Sequence, residues 1–246
     1  MNLHTLPHTA LHSLSSRREE VCFALLAFSG GIAGGFGSVY CGHVFANAET
    51  GNMISLITDL HAGAWVDVLC RLGGLGLYIL GIALTVILPV RLCGGSARRW
   101  QRISLLVEVC CFVVQGLLPY QAVTGISFAL YLWPVFFGLA LQYNSFTALH
   151  GVPVSTVFCT NNFRQMTIHA LIWRRLRHAR TADAAAESRR ELRISLTYVA
   201  VTLLFLLGVA FSVFTLEWLG TWQMFVCAGL LLALWVWDIS ARSQAD

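Results

Sequence analysis

Long apolar stretches separated by short polar ones run from Val21 almost to the end of this chain. A helix needs ~20 mostly apolar residues to cross a bilayer. Six segments reach or approach that length: about Val21–Cys41, Leu69–Val90, Ile103–Leu118, Ile126–Leu149, Ile194–Phe214 and Trp218–Ile239. Trp100, Tyr120, Trp218, Trp222, Trp235 and Trp237 lie near their ends, as interfacial aromatics do. The first 20 residues are polar and mixed in charge. They lack the apolar core and small-residue cleavage site of a signal peptide, so Val21 onward is read as a retained first helix.

Two intervals break this pattern in the same way. GHVFANAETGNMISLITDL (Gly42–Leu60) and GVPVSTVFCTNNFRQMTIHAL (Gly151–Leu171) each follow an apolar, glycine-bearing segment. Each starts with a short β-like run, passes through Thr and Asn, and then resumes helical spacing. Thr50 and Thr160 align at an offset of 110 residues, and Gly42 and Gly151 at 109. Paired, broken, polar segments in corresponding places of two halves point to a transporter-like binding site. The pattern predicts an all-α polytopic membrane protein, a single membrane domain over residues 1–246. It has six transmembrane helices plus two broken, re-entrant strand–helix segments. The first repeat spans 21–118 and the second 126–239.

Composition agrees, with 57% hydrophobic and 11% charged residues. All sixteen basic residues are Arg, a compositional bias rather than a chemical signal. Their placement decides the topology. With six spans and the N-terminus in the cytoplasm, fifteen of the sixteen fall on the cytoplasmic side and only Arg71 lies outside. With eight spans the basic loops around Arg91–Arg102 and Arg174–Arg193 fall on opposite sides and the bias is lost. Six spans make the repeat inverted, put both termini inside, and make 174–193 a basic cytoplasmic loop, helical or flexible. A five-residue strand plus a 13-residue helix still reaches ~35 Å, so a full crossing by each broken segment stays open. Such a charge pattern suits an inner membrane and does not suggest nucleic acid.

Irregular backbone survives in a bilayer only when buried in protein or lining a wet cavity. The residues around Thr50 and Thr160 are therefore expected to face the interior. Both Thr are candidate N-caps, and two helix N-termini favour an anion or a polar solute. Thr50, Asn52, Thr160, Asn162, Asn47 and Gln142 are the candidate solute contacts, against the alternative that they only satisfy one another. Glu49 is the candidate ion-coupling carboxylate, or simply an acid that stabilises a helix start. Glu108 stands alone inside an apolar run and either pairs with an Arg or keeps its proton. His43, His61, His150 and His169 flank the broken segments as structural or proton-relay residues. Glycine runs at Gly30–Gly37 and Gly73–Gly81 suit close helix packing. The eight Cys show no zinc spacing and read as small buried hydrophobes. No catalytic constellation, metal site or cofactor motif is visible, so an enzyme is not expected.

LLAFSGGIAGGFGSVYCGHVFANAETGN and GLALQYNSFTALHGVPVSTVFCTNNF resemble the YoaK family of bacterial multi-pass membrane proteins of unknown function (DUF1275). The family's Thr-Gly-Asn ending stands here as Thr50, Gly51 and Asn52. Its Gln-Asn element and Thr-rich stretch correspond to Gln142, Asn144 and Thr160. Two departures stand out: Gly34 where the family often has an acid, and Asn161 where it commonly has Gly. Gly151–Thr156 is also similar to the Gly-x-Pro-x-Thr-Thr stretch of nucleobase–cation symporters. The expected function is a small secondary transporter or permease for a small polar or anionic solute. The alternative is a non-transporting membrane scaffold or accessory subunit. Expected partners are the lipid bilayer and the solute; oligomeric state is open.

Overall fold

The computed structural model describes residues 8–118, 128–178 and 181–243. In chain order the elements are α1 (His8–Tyr40), α2 (Glu49–His61), α3 (Trp65–Cys93), α4 (Ala97–Leu117), α5 (Phe128–Tyr131) and α6 (Trp133–Ser145). A hairpin of β1 (Ala148–Leu149) and β2 (Val152–Pro153) follows, then α7 (Thr160–Leu176), α8 (Ala182–Leu219) and α9 (Trp222–Ser243). Among the described residues five stretches are long and apolar enough to cross a membrane: Arg17–Tyr40, Trp65–Cys93, Ala97–Leu117, Ala182–Leu219 and Trp222–Ser240. The chain is thus a helical protein of multi-pass membrane type. The expected span from Ile126 begins outside the described residues. Its described part is α5 and α6, joined through Leu132 by bonds from Leu132 N to Phe128 O and from Phe136 N to Leu132 O.

Helix ends differ from hydropathy where polar residues continue a helix. Residues 174–193, read from sequence as a basic loop that is helical or flexible, are mostly the last turn of α7 and the first turns of α8. Thr181 caps α8 by accepting from Ala184 N, and the Ala- and Glu-rich start is a good helix former. Polarity there marks where the membrane would end, not where the helix does. The first β-like run is not a strand, and of the second only Val152–Pro153 is. Residues 44–48 and 154–159 are irregular, and among the described residues the β1–β2 hairpin is the sheet.

Contacts fix the direction of each helix. α1 runs parallel to α8, with Gly31 facing Phe205 and Val209, Gly35 facing Ser212, and Gly208 facing Phe28 and Ile32. α3 runs parallel to α6: Trp133 Nε1 donates to Cys70 O at 2.9 Å, and Asn144 Nδ2 to Thr85 Oγ1 at 2.5 Å. α4 is antiparallel to both α6 and α9. Trp100 Nε1 donates to Ser145 Oγ at 2.9 Å, and Arg102 pairs with Asp238 at 2.5 Å. His150 meets Glu19 and Glu20, and His169 meets Glu191 at 2.6 Å. These pairs gather the start of α1, the ends of α3, α6, α7 and α9, and the starts of α4 and α8 at one end of the bundle. Arg71 lies at the other end, paired with Asp59 at 2.6 Å.

Helices in lipid gain little from burying apolar surface against one another, so close packing at small residues holds them. At Gly31 and Gly208 an added Cβ would run into the carbonyls of Phe205 and Phe28. Gly76 faces outward with nothing within 4 Å. Gly31→Ala and Gly208→Ala should therefore each destabilise by about 1–3 kcal/mol through overpacking. Gly76→Ala should be neutral or stabilising by up to ~1 kcal/mol. Thermal unfolding in detergent, followed by tryptophan fluorescence, checks both signs.

Candidate functional site

Each broken segment is entered through two consecutive left-handed residues. The first pair is Gly42 and His43, at φ 60° and 61°; the second is His150 and Gly151, at φ 51° and 76°. Gly adopts this conformation freely, whereas His does so at a cost. The second pair is the two-residue turn of the β1–β2 hairpin, where φ is positive at both positions as in a type I′ turn. Positive φ at His43 and His150 was not legible in the sequence, because the order Gly-His in one copy is His-Gly in the other.

The irregular backbone beyond each turn is held by one asparagine. Asn52 Oδ1 accepts from Phe45 N at 3.1 Å, and its Nδ2 donates to Phe45 O. Asn162 Oδ1 accepts from Ser155 N at 3.2 Å, and its Nδ2 donates to Ser155 O at 2.7 Å. Both clamps reach back seven residues. Both Asn are buried in the first turn of a helix, and each satisfies an amide and a carbonyl that have no helix or sheet ladder. The signal for this was Phe45 and Asn52 recurring as Ser155 and Asn162 at the offset of the duplicated Thr.

The two segments meet along α1. Gly37 lies against Val44 O, Gly34 against the Asn47 amide, and Gly30 against Thr156 O and Val157. One segment thus descends α1 from its C-terminal end and the other approaches from its N-terminal side. They join where Asn47 Nδ2 donates to Val157 O at 2.9 Å. That joint lies between Gly30 and Gly34, midway along the apolar part of α1. Gln142, fully buried, closes the other side: its Nε2 donates to Leu26 O at 3.1 Å and to Thr156 Oγ1 at 2.7 Å. Its Oε1 is buried with no partner among the described residues.

The remaining candidates are placed differently from one another. Thr50 and Thr160 are exposed, not turned into the interior as expected. Neither is an N-cap. Ala48 and Cys159 hold those positions without a side-chain bond, and the Thr fall inside the helices. Glu49 opens α2; its Oε2 lies 3.4 Å from Asn52 Nδ2 and its Oε1 is buried with no partner among the described residues. The outward face of α2 exposes Ile54 and Ile57, and that of α7 exposes Phe163 and Leu171 beside Asn161, Arg164 and Thr167. His43 and His150 shape turns, while His169 lies between Glu191 and the stacked ring of Tyr198. A separate groove of about 430 Å³ opens at the Arg-rich end, lined by Glu20, His150, Arg189 and Arg193 among apolar residues. Among the described residues no His, Cys, Asp or Glu cluster could hold a metal, and all eight Cys are free.

The clamps make a specific stability forecast. Asn162→Leu strands the N–H and C=O of Ser155, and Asn52→Leu the N–H of Phe45, whose carbonyl keeps a bond from Ala48 N at 3.5 Å, at about 1–3 kcal/mol per unsatisfied group. Thr50→Ala and Thr160→Ala, at exposed positions, should stay within about 0.5 kcal/mol. Thermal unfolding of the protein in nanodiscs separates the two pairs.

No curated protein and no solved structure gives a significant match to this chain. A family model described as a protein of unknown function (DUF1275) matches residues 22–237, which take in both broken segments, their clamps and the joint. By that match over most of its length, the chain belongs to the DUF1275 family.

Proposed function

We propose that this protein is a small secondary transporter or permease for a small polar or anionic solute, working by alternating access around the joint of the two broken segments. The observation that carries this reading is the Asn47–Val157 joint at the middle of α1, with an asparagine clamp on either side. A helix of 13 residues is ~20 Å long and one of 17 is ~26 Å, both short of the ~30 Å hydrocarbon core. α2 runs antiparallel to α3 through Asp59 and Arg71, and α7 antiparallel to α8 through His169 and Glu191. Each short helix thus returns toward the end its segment came from, which supports two re-entrant elements from opposite faces. With α5–α6 completing a sixth span, the chain is an inverted repeat with the Arg-rich end in the cytoplasm of an inner membrane.

In this reading the solute meets the first turns of α2 and α7 at Thr50 and Thr160, with the free Oε1 of Gln142 facing the joint. Asn47, Asn52 and Asn162 fix the backbone that presents those turns, and Glu49 is the carboxyl closest to them for an ion. Full hydrogen bonding of the Asn52 and Asn162 amides favours a second reading, a non-transporting scaffold in which the joint is purely structural.

Uptake into proteoliposomes, measured by mass spectrometry over a panel of small anions and polar solutes, distinguishes the two. Transport predicts accumulation of at least one solute, lowered about tenfold, or ~1.4 kcal/mol, by Gln142→Leu or by Thr50→Ala with Thr160→Ala. Uptake of a verified substrate that ignores Thr50→Ala and Asn162→Ala would remove the site assignment, and no uptake at all would favour the scaffold. Topology has its own check. Gly95→Cys and Asp183→Cys in a cysteine-free background should both label from the cytoplasmic side; labelling from opposite sides would require eight spans.

A further inference from the structure

One face of α4 carries a stripe of buried polar side chains without hydrogen-bond partners among the described residues. Ser104, Glu108 and Gln115 are each fully buried. Ser104 Oγ, both carboxyl oxygens of Glu108, and both amide atoms of Gln115 have no hydrogen-bond partner among the described residues. The Oγ of Ser29 on α1 is buried in the same condition. Native interiors satisfy nearly all such groups, and orphaned ones call for a water, an ion or a proton. Glu108 packs against α6 at Gly138, whose Cα leaves room for its Cγ. The titratable groups around it are thiols: Cys22 of α1, Cys111 of α4 itself and Cys227 of α9. Asp238 and Glu19 also act on Cys22. The nearby guanidinium on α4, Arg102, is already bonded to Asp238.

A carboxylate enclosed with neither a cation nor a donor is too costly to persist in such a place. A metal cation fits poorly. Glu108 and Gln115 are seven residues apart, ~10.5 Å along the helix, whereas one cation takes its oxygens at ~2.0–2.6 Å. The titratable side chains that face it are thiols, whose sulfurs hard cations avoid. A proton needs only the carboxyl. The stripe begins at Ser104, two residues inside Arg102, and Glu108 lies ~9 Å beyond Arg102. It therefore leads inward from the Arg-rich end.

We propose that Glu108 is a proton-exchanging site: a buried carboxylic acid that takes up and releases a proton toward the Arg-rich end past Ser104, through ordered water, with Gln115 on its inner side. If the chain transports a solute, this supplies a protonatable group separate from Glu49, and the test below needs no solute.

Infrared spectroscopy of the full-length protein in lipid vesicles reads the site directly. The wild-type protein should show the carbonyl stretch of a protonated carboxylic acid that is missing from Glu108→Gln and that fades reversibly as the pH is raised. Ser104→Ala should slow the response of that band to pH, whereas Gln115→Leu, on the inner side of Glu108, should leave its rate unchanged; an acid merely buried for packing would not show that difference. Should Glu108→Gln fail to fold, the same comparison is made with Glu108→Asp, which moves this band and no other carboxyl's. A wild-type spectrum without the Glu108 acid band overturns the proposal, because the group is then ionised. A band constant at every pH at which the protein stays folded overturns it too, because the proton is then locked in. A titrating band in a protein that takes up no solute would sink the transport reading and leave this one standing.

Discussion

Backbone that is neither helix nor sheet can be buried among helices only if something else satisfies its amides and carbonyls. Here that condition rests on Asn52 and Asn162, each bonded to both polar backbone atoms of a residue seven positions earlier. The rest of the interior is arranged around the two short runs so held. Gly30, Gly34 and Gly37 make α1 smooth enough for them to lie against it, and Gln142 spans from α6 to α1 and to the second run. Asn47 then ties one run to the other.

The helix pairing gives this centre a rigid frame. α1 lies along α8, α3 along α6 and α4 along α6 and α9, so in the duplicated reading the long first-half helices take their closest partners from the second half. Neither half would close a core of its own. Interlocking of this kind suits a medium in which helices gain little from apolar burial and depend on fit, with hydrogen bonds and ion pairs at the ends. Asp59–Arg71 pins α2 to α3, and Arg102–Asp238 pins α4 to α9.

Much of this was legible in the chain because membranes impose length and polarity rules that local sequence obeys. The apolar spans, the breaks at Gly42–Leu60 and Gly151–Leu171, and the glycine packing faces all left periodic or compositional marks. Helix ends did not, because Ala182–Arg193 is polar and helical at once. Thr50 and Thr160 were read as caps facing inward because Thr commonly caps helices. The structure gives the inward place to Asn52 and Asn162, whose amides can reach both a donor and an acceptor, as a hydroxyl on a short stem cannot. For Glu108 the sequence left open a partner Arg; the fold gives Arg102 to Asp238 instead.

α8 has 38 residues, so its axis is ~57 Å long, nearly twice the thickness of a hydrocarbon layer. About half of it must project into water, and it does so as an unbroken continuation of the part that α1 grips at Gly31 and Gly35. It is a lever with its fulcrum inside the bundle. A tilt of a few degrees where the glycines touch becomes a displacement of ångströms at Ala182, and a force applied to the outer arm is returned to α1 at the place where the two broken segments meet.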